Sequence, residues 1–176
     1  MKLTTAIMIV PPHELQAIAS PILYRYAHDT LIRVPVHLTV LFPFVAYQRL
    51  PEACGILREI TASIAPFDVT MSGYDQFPGT IFMAPVDPAP IHNIFKRIYS
   101  RFPECPPYSG KFGDDLHPHM TVAEFESEDD LGSALKSLPD YRPTTFHVDR
   151  LHVMYGIERE PIPWLTHDII PLGTAL

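Results

Sequence analysis

The sequence predicts an α+β fold made of a duplicated unit, in which helix, strand and helix are followed by further strands. Three observations carry this. Proline accounts for 20 of 176 residues against 8 glycines, about twice the usual frequency. The prolines are scattered without a period, which excludes collagen and proline-rich linkers. Interior prolines also break backbone hydrogen bonding, which excludes long-helix bundles and coiled coils. Apolar residues make up 47% and charged residues 19%, enough to sustain a packed core. Finally, two histidine-bearing segments at His37 and His119, 82 residues apart, occupy the same place in each half. Such a duplication sets two sheets face to face or side by side about a pseudo-twofold axis. Residues 1–176 are expected to form one domain of two pseudo-symmetric lobes.

Each element has a local cause. Ala6 to Val10 is a short apolar run stopped by Pro11-Pro12, read as a first strand because it is too short for a signal core and lacks a cleavage site. Leu15, Ile18, Ala19, Ile22, Leu23 and Tyr26 recur at helical spacing, with Pro21 expected to kink the helix or divide it. Val36 to Phe42, rich in β-formers and enclosed by Pro35 and Pro43, reads as a strand. Pro51 to Ala65 is a helix opened by proline and closed before Pro66. Phe67 to Gln76 and Thr80 to Val86 are strands joined through Phe77-Pro78-Gly79. The order then repeats: a helical stripe of Ile91, Ile94, Phe95, Ile98 and Phe102, a strand from His119 to Phe125, and a helix from Ser127 to Leu138. Strands follow at Thr145 to Asp149, Leu151 to Tyr155 and Trp164 to Ile170.

The net charge of −7 argues against wrapping long duplex nucleic acid, which requires counter-charge for many phosphates. A nucleic-acid end or a single nucleotide needs only a local site. Cys54 and Cys105 are isolated thiols without metal-ligand or redox spacing, as in a reducing cytosol. No apolar run approaches the roughly 20 residues of a membrane span. The expected protein is cytoplasmic, monomeric and not membrane-bound.

The chemistry lies in His37-Leu38-Thr39-Val40 and His119-Met120-Thr121-Val122. In a strand, residues two apart share a face, so each segment presents an imidazole beside a hydroxyl. Two imidazoles of pKa about 6.5 can divide acid and base roles near neutrality. Two hydroxyls can donate to anionic oxygens as charge develops on them. A phosphodiester fits this set, and no metal or other cofactor is called for.

These segments resemble the paired motifs of the two-histidine phosphoesterases, the superfamily that includes bacterial 2′-5′ RNA ligase-like proteins. Val34-Pro35-Val36 before the first segment, Leu116-His117-Pro118 before the second and Phe146-His147-Val148-Asp149-Arg150-Leu151 near the end are similar too. The resemblance implies a bilobal fold, with two antiparallel sheets flanked by helices about a central cleft. It also implies metal-independent hydrolysis of 2′,3′-cyclic phosphates on RNA ends or small nucleotides to a 2′-phosphate, with reversible 2′-5′ ligation in some members. His37 and His119 would then be the catalytic pair, and Thr39 and Thr121 the phosphate-binding residues. Some members carry an arginine three residues after the second threonine. Here that position is Glu124, which would repel a polyanion if it faced the cleft.

Lys111 is a candidate replacement cation, and Phe44, Tyr47 and Tyr155 are aromatics large enough to stack on a base or to pack in the core. Two rival readings stand beside the enzyme. One is a metal-dependent hydrolase using His117 and His119, and the other is a non-catalytic nucleotide- or RNA-binding module on the same fold.

Overall fold

The structure is a computed structural model that describes residues 3–125, 127–158 and 160–173. The strands are β1 (Thr4–Ile9), β2 (Leu38–Leu41), β3 (Phe67–Phe77), β4 (Thr80–Pro85), β5 (Met120–Glu124), β6 (Thr144–Val148), β7 (Arg150–Gly156) and β8 (Leu165–Pro171). The helices are α1 (His13–Tyr26), α2 (His28–Arg33), α3 (Leu50–Thr61), α4 (Ala89–Arg101) and α5 (Glu128–Ser137). The strands form two four-stranded antiparallel sheets of order β2-β1-β7-β8 and β5-β4-β3-β6. The expected bilobal α+β architecture is therefore present, and each histidine–threonine strand is the edge of its own sheet.

Edge position explains why the regular strands are short. The ladder starts at Leu38 and at Met120, one residue after each histidine, rather than at Val36 and His119. Pro35 and Pro118 stand two residues and one residue before the histidines, and proline has no N–H to give a ladder.

The helix containing Pro21 is not divided there. It continues to Tyr26 and breaks at Ala27 (φ −150°, ψ 52°), after which α2 begins as an element the sequence reading did not anticipate. Pro21 and Ala17, whose carbonyl it leaves without an N–H, both lie on the exposed side of α1, where water satisfies the acceptor. Leu15, Ala19, Ile22 and Leu23 on the other side are buried and hold the helix against β5.

The main core lies between the sheets and their helices. Ile7, Ile9, Leu38 and Val40 meet Ile94, Phe95, Met120 and Val122 within one continuous cluster. A smaller cluster of Ala6, Met8, Met154 and Trp164 covers the other face of the first sheet, with Val34 and Phe42 packed against it. Gly156 is required by this second cluster, because a Cβ there would fall inside the Trp164 ring. Gly156→Ala is expected to cost about 1–3 kcal/mol through overpacking. A melt followed by circular dichroism should show a Tm several degrees lower.

Candidate active site

The two histidine–threonine segments come together where the sheets meet, since β2 and β5 lie beside each other. Leu38 and Val40, like Met120 and Val122, point into the core, while His37, Thr39, His119 and Thr121 are half-buried on the opposite faces. The structure thus brings all four candidate residues to one region.

Both imidazoles are held by the same device. His37 Nδ1 lies 2.8 Å from the Pro35 carbonyl oxygen and His119 Nδ1 lies 2.7 Å from that of His117. A carbonyl only accepts, so Nδ1–H donates in each neutral ring and Nε2 is left with its lone pair free. The backbone before His37 is itself clasped: Gln16 Nε2 donates to the Val36 carbonyl at 2.7 Å, and the Val36 N–H donates to Gln16 Oε1 at 3.1 Å.

Burial is the largest influence on both rings and pushes each below the ordinary imidazole value of 6.5. At His37 the Pro35 carbonyl opposes this, nearby His119 reinforces it and Glu124 opposes it. At His119 the His117 carbonyl raises the value and the His117 ring lowers it. Both rings are therefore mainly neutral at pH 7.

Two connections cross to the opposite sheet at equivalent places, five residues beyond each histidine. From the α1–β2 connection, the Thr30 hydroxyl of α2 donates to Glu124 Oε2 at 2.6 Å, and Arg33 donates to Thr30 Oγ1 at 3.0 Å. From the α4–β5 connection, the Tyr108 N–H donates to the Phe42 carbonyl at 2.5 Å, and the Tyr108 ring packs on Phe42 at 6.2 Å between centroids. Tyr108 and Ser109 both have positive φ, 51° and 57°, a region that costs a non-glycine residue about 1–2 kcal/mol. Glu124 is exposed and held by Thr30, near enough for its charge to oppose slightly the lowering of the His37 pKa.

Strand register identifies further neighbours. Residues directly opposite across antiparallel strands share a face. Thr39 is level with Met8 and then His152 in one sheet, and Thr121 is level with Phe82 and then Asp75 in the other. Phe77 and Phe82 stand edge-on to the His119 ring at 5.3 and 5.4 Å between centroids. Gln16, Tyr108, Phe77, Phe82 and His152 were not singled out as site neighbours from sequence. The alternation of β4 is the only signal that places any of them, Phe82, beside a histidine.

Other candidates fall elsewhere. Phe44 is buried edge-on to Phe102 at 4.9 Å, so it belongs to the core. Tyr47 and Tyr155 pack on each other at 4.7 Å. Lys111 is exposed with its ammonium 5.1 Å from the Phe112 ring centroid. The His117 and His119 rings are 6.4 Å apart, and among the described residues no group of three or more His, Cys, Asp or Glu side chains is disposed to hold a metal ion. No helix among the described residues is long and apolar enough to cross a membrane.

A family model described as the 2′-5′ RNA ligase superfamily matches residues 11–159. The chain belongs to that superfamily. Among curated proteins none matches it in sequence. The superfamily fold is also found in solved structures of low identity. E. coli LigT complexed with 3′-AMP is 14% identical with a TM-score of 0.65, covering 98% of this chain and 99% of that one. LigT complexed with NADP+ is 15% identical with a TM-score of 0.63, covering 97% and 98%. TT0787 of Thermus thermophilus is 16% identical with a TM-score of 0.63, covering 98% of each chain.

In this superfamily member the buried imidazoles have a consequence for stability. Their folded pKa values lie below the unfolded ones, so the unfolded chain binds protons first as pH falls. Stability is therefore fully present above about pH 6.5 and declines below it, with His152, also lowered chiefly by burial, contributing. Thermal melts between pH 7.5 and 5.5 should show a falling Tm, and the decline should be shallower in a His37→Gln/His119→Gln variant.

Proposed function

We propose that the protein is a metal-independent phosphodiesterase that opens 2′,3′-cyclic phosphates on RNA termini or small nucleotides, leaving a 2′-phosphate. The observation that carries this reading is the matched pair of Nδ1–carbonyl contacts, which leaves both Nε2 atoms free at the meeting of the two sheets. His119 Nε2 takes a proton from water as the water oxygen bonds to phosphorus. The P–O3′ bond breaks, and Nε2–H of protonated His37 delivers a proton to O3′. Thr39 and Thr121 donate to the non-bridging oxygens, whose charge grows in the transition state. With a 5′-hydroxyl in place of water, the same transfers join two RNA ends through a 2′-5′ linkage.

Glu124 favours substrates whose only anion is the phosphate under attack. This agrees with the net charge of −7.

Turnover of a nucleoside 2′,3′-cyclic phosphate is expected in EDTA. Phosphorus NMR should identify a 2′-monophosphate, and activity should fall by at least about a thousandfold in His37→Ala/His119→Ala. Residual activity close to wild type in that variant would refute the mechanism. Zinc-dependent rescue after EDTA would favour the metal-dependent reading, and nucleotide binding without turnover the binding module.

The base must be neutral and the acid protonated, and both groups lie below 6.5 in the free protein. A bell-shaped kcat/KM profile should therefore peak on the acid side of pH 6.5 and decline through neutrality. Replacing Glu124 by Arg should raise kcat/KM for an oligonucleotide ending in a cyclic phosphate relative to a cyclic mononucleotide, by about fivefold or more at low salt. The preference should shrink as salt screens the charge.

A further inference from the structure

The row of side chains that begins at Thr39 continues past the phosphate-binding pair. It crosses β1 and β7 to the far edge of its sheet as Thr39, Met8, His152 and Ile169, level with one another and on one face. Their chain neighbours Leu38, Ile9, Leu151 and Ile170 turn the other way into the core. Met8 is buried, His152 is half-buried, and Ile169 is 44% exposed at the open end. Adjacent strands stand about 4.8 Å apart, so the His152 backbone lies about 10 Å from that of Thr39. That is one sugar's width beyond a phosphate held at Thr39.

The surroundings of His152 narrow its role. Its ring makes no hydrogen bond or ring contact among the described residues, so the fold does not use it. Burial, its largest influence, and nearby Arg150 keep it below 6.5, with Asp149 opposing, and a neutral imidazole is a poor phosphate clamp. Arg150 is itself paired with Asp149 through hydrogen bonds of 2.6 and 2.8 Å. The opposite wall offers no equivalent surface. Beyond Thr121, Phe82 is buried and stacked on Phe77 at 4.2 Å between centroids, and the row ends at the Asp75 carboxylate.

We infer that Met8, His152 and Ile169 form a nucleobase subsite, in which the base stacks on the His152 ring while the cyclic phosphate lies at Thr39. This rests on the phosphodiesterase reading above and names the substrate class as nucleosides, rather than cyclic phosphates at large. Every base has a π-face, so stacking demands a base without selecting one. Met8 and Ile169 give the strip an apolar floor and outer end. His152 touches no reacting atom, and its contribution is to binding.

The experiment compares adenosine 2′,3′-cyclic phosphate with methyl β-riboside 2′,3′-cyclic phosphate, which lacks a base, in wild type, His152→Gln and His152→Phe. Gln keeps a hydrogen-bonding side chain without a ring, and Phe keeps a ring without a donor or acceptor. Wild type should prefer the adenosine substrate by about tenfold in kcat/KM, through KM. His152→Gln should lose most of that preference, again through KM, and His152→Phe should keep it. A merely structural role would move both substrates together. In wild type bound to adenosine 2′-monophosphate, NOEs between the His152 ring protons and the base protons are expected, and their absence overturns the inference even where a variant fails to fold.

No preference in wild type, an unchanged preference in His152→Gln, or its loss in His152→Phe would overturn the inference and leave the phosphodiesterase reading intact. Absence of turnover in wild type would refute that reading. Calorimetry then decides the subsite alone. Tighter binding of adenosine 2′-monophosphate than of methyl riboside 2′-monophosphate, lost in His152→Gln and kept in His152→Phe, supports it, and any other result overturns it.

Discussion

The organising constraint is reciprocal burial across the two halves. Each histidine–threonine strand is a sheet edge, and an edge left uncovered presents unpaired backbone groups and an apolar face. The helix of the opposite half provides the packing. α1, which leads into β2, lies on β5, and α4, which leads toward β5, lies on β2. Apolar residues of both halves consequently join one core around Leu38, Val40, Met120 and Val122. Forming that core and bringing His37 beside His119 are one event. Any substitution that loosens the core beneath these strands also moves the imidazoles.

On this frame the chemistry is specified by short-range contacts. The carbonyl two residues upstream fixes each ring's tautomer, so neither histidine relies on a buried carboxylate to orient it. That arrangement leaves the rings with depressed basicity, since no adjacent negative charge offsets their burial at Nδ1. Glu124 acts on His37 from farther off and is itself held by Thr30.

Much of this was legible in the chain, for identifiable reasons. Hydrophobic periodicity located the strands and four of the five helices, because burial on one face imposes it. The repeated histidine–x–threonine spacing located the site, because alternation along a strand turns that spacing into a shared face. α2 was missed because none of its residues is buried, so it has no apolar stripe to read. Pro21 misled because proline's cost depends on whether the orphaned carbonyl meets water, which the sequence does not state. Tyr108 and Gln16 were invisible for a different reason. Their partners, the Phe42 carbonyl and the Val36 backbone, are 66 and 20 residues away, and no local pattern encodes a single long-range polar contact.

The ladder rows that place His152 level with Thr39, and Phe82 and Asp75 level with Thr121, also bear on direction. Duplication alone would yield a site indifferent to which end of a diester enters from which side. One wall continues from its threonine over Met8 to an imidazole, while the other runs over an aromatic ring to a carboxylate. Five residues past each histidine the contrast recurs, as Phe42 against Glu124. The two sheets thus each carry a histidine–threonine strand at one edge, with unlike chemistry beside it. Polarity in the site is a property of the flanks, and it is there that divergence between the two halves carries information about the ligand.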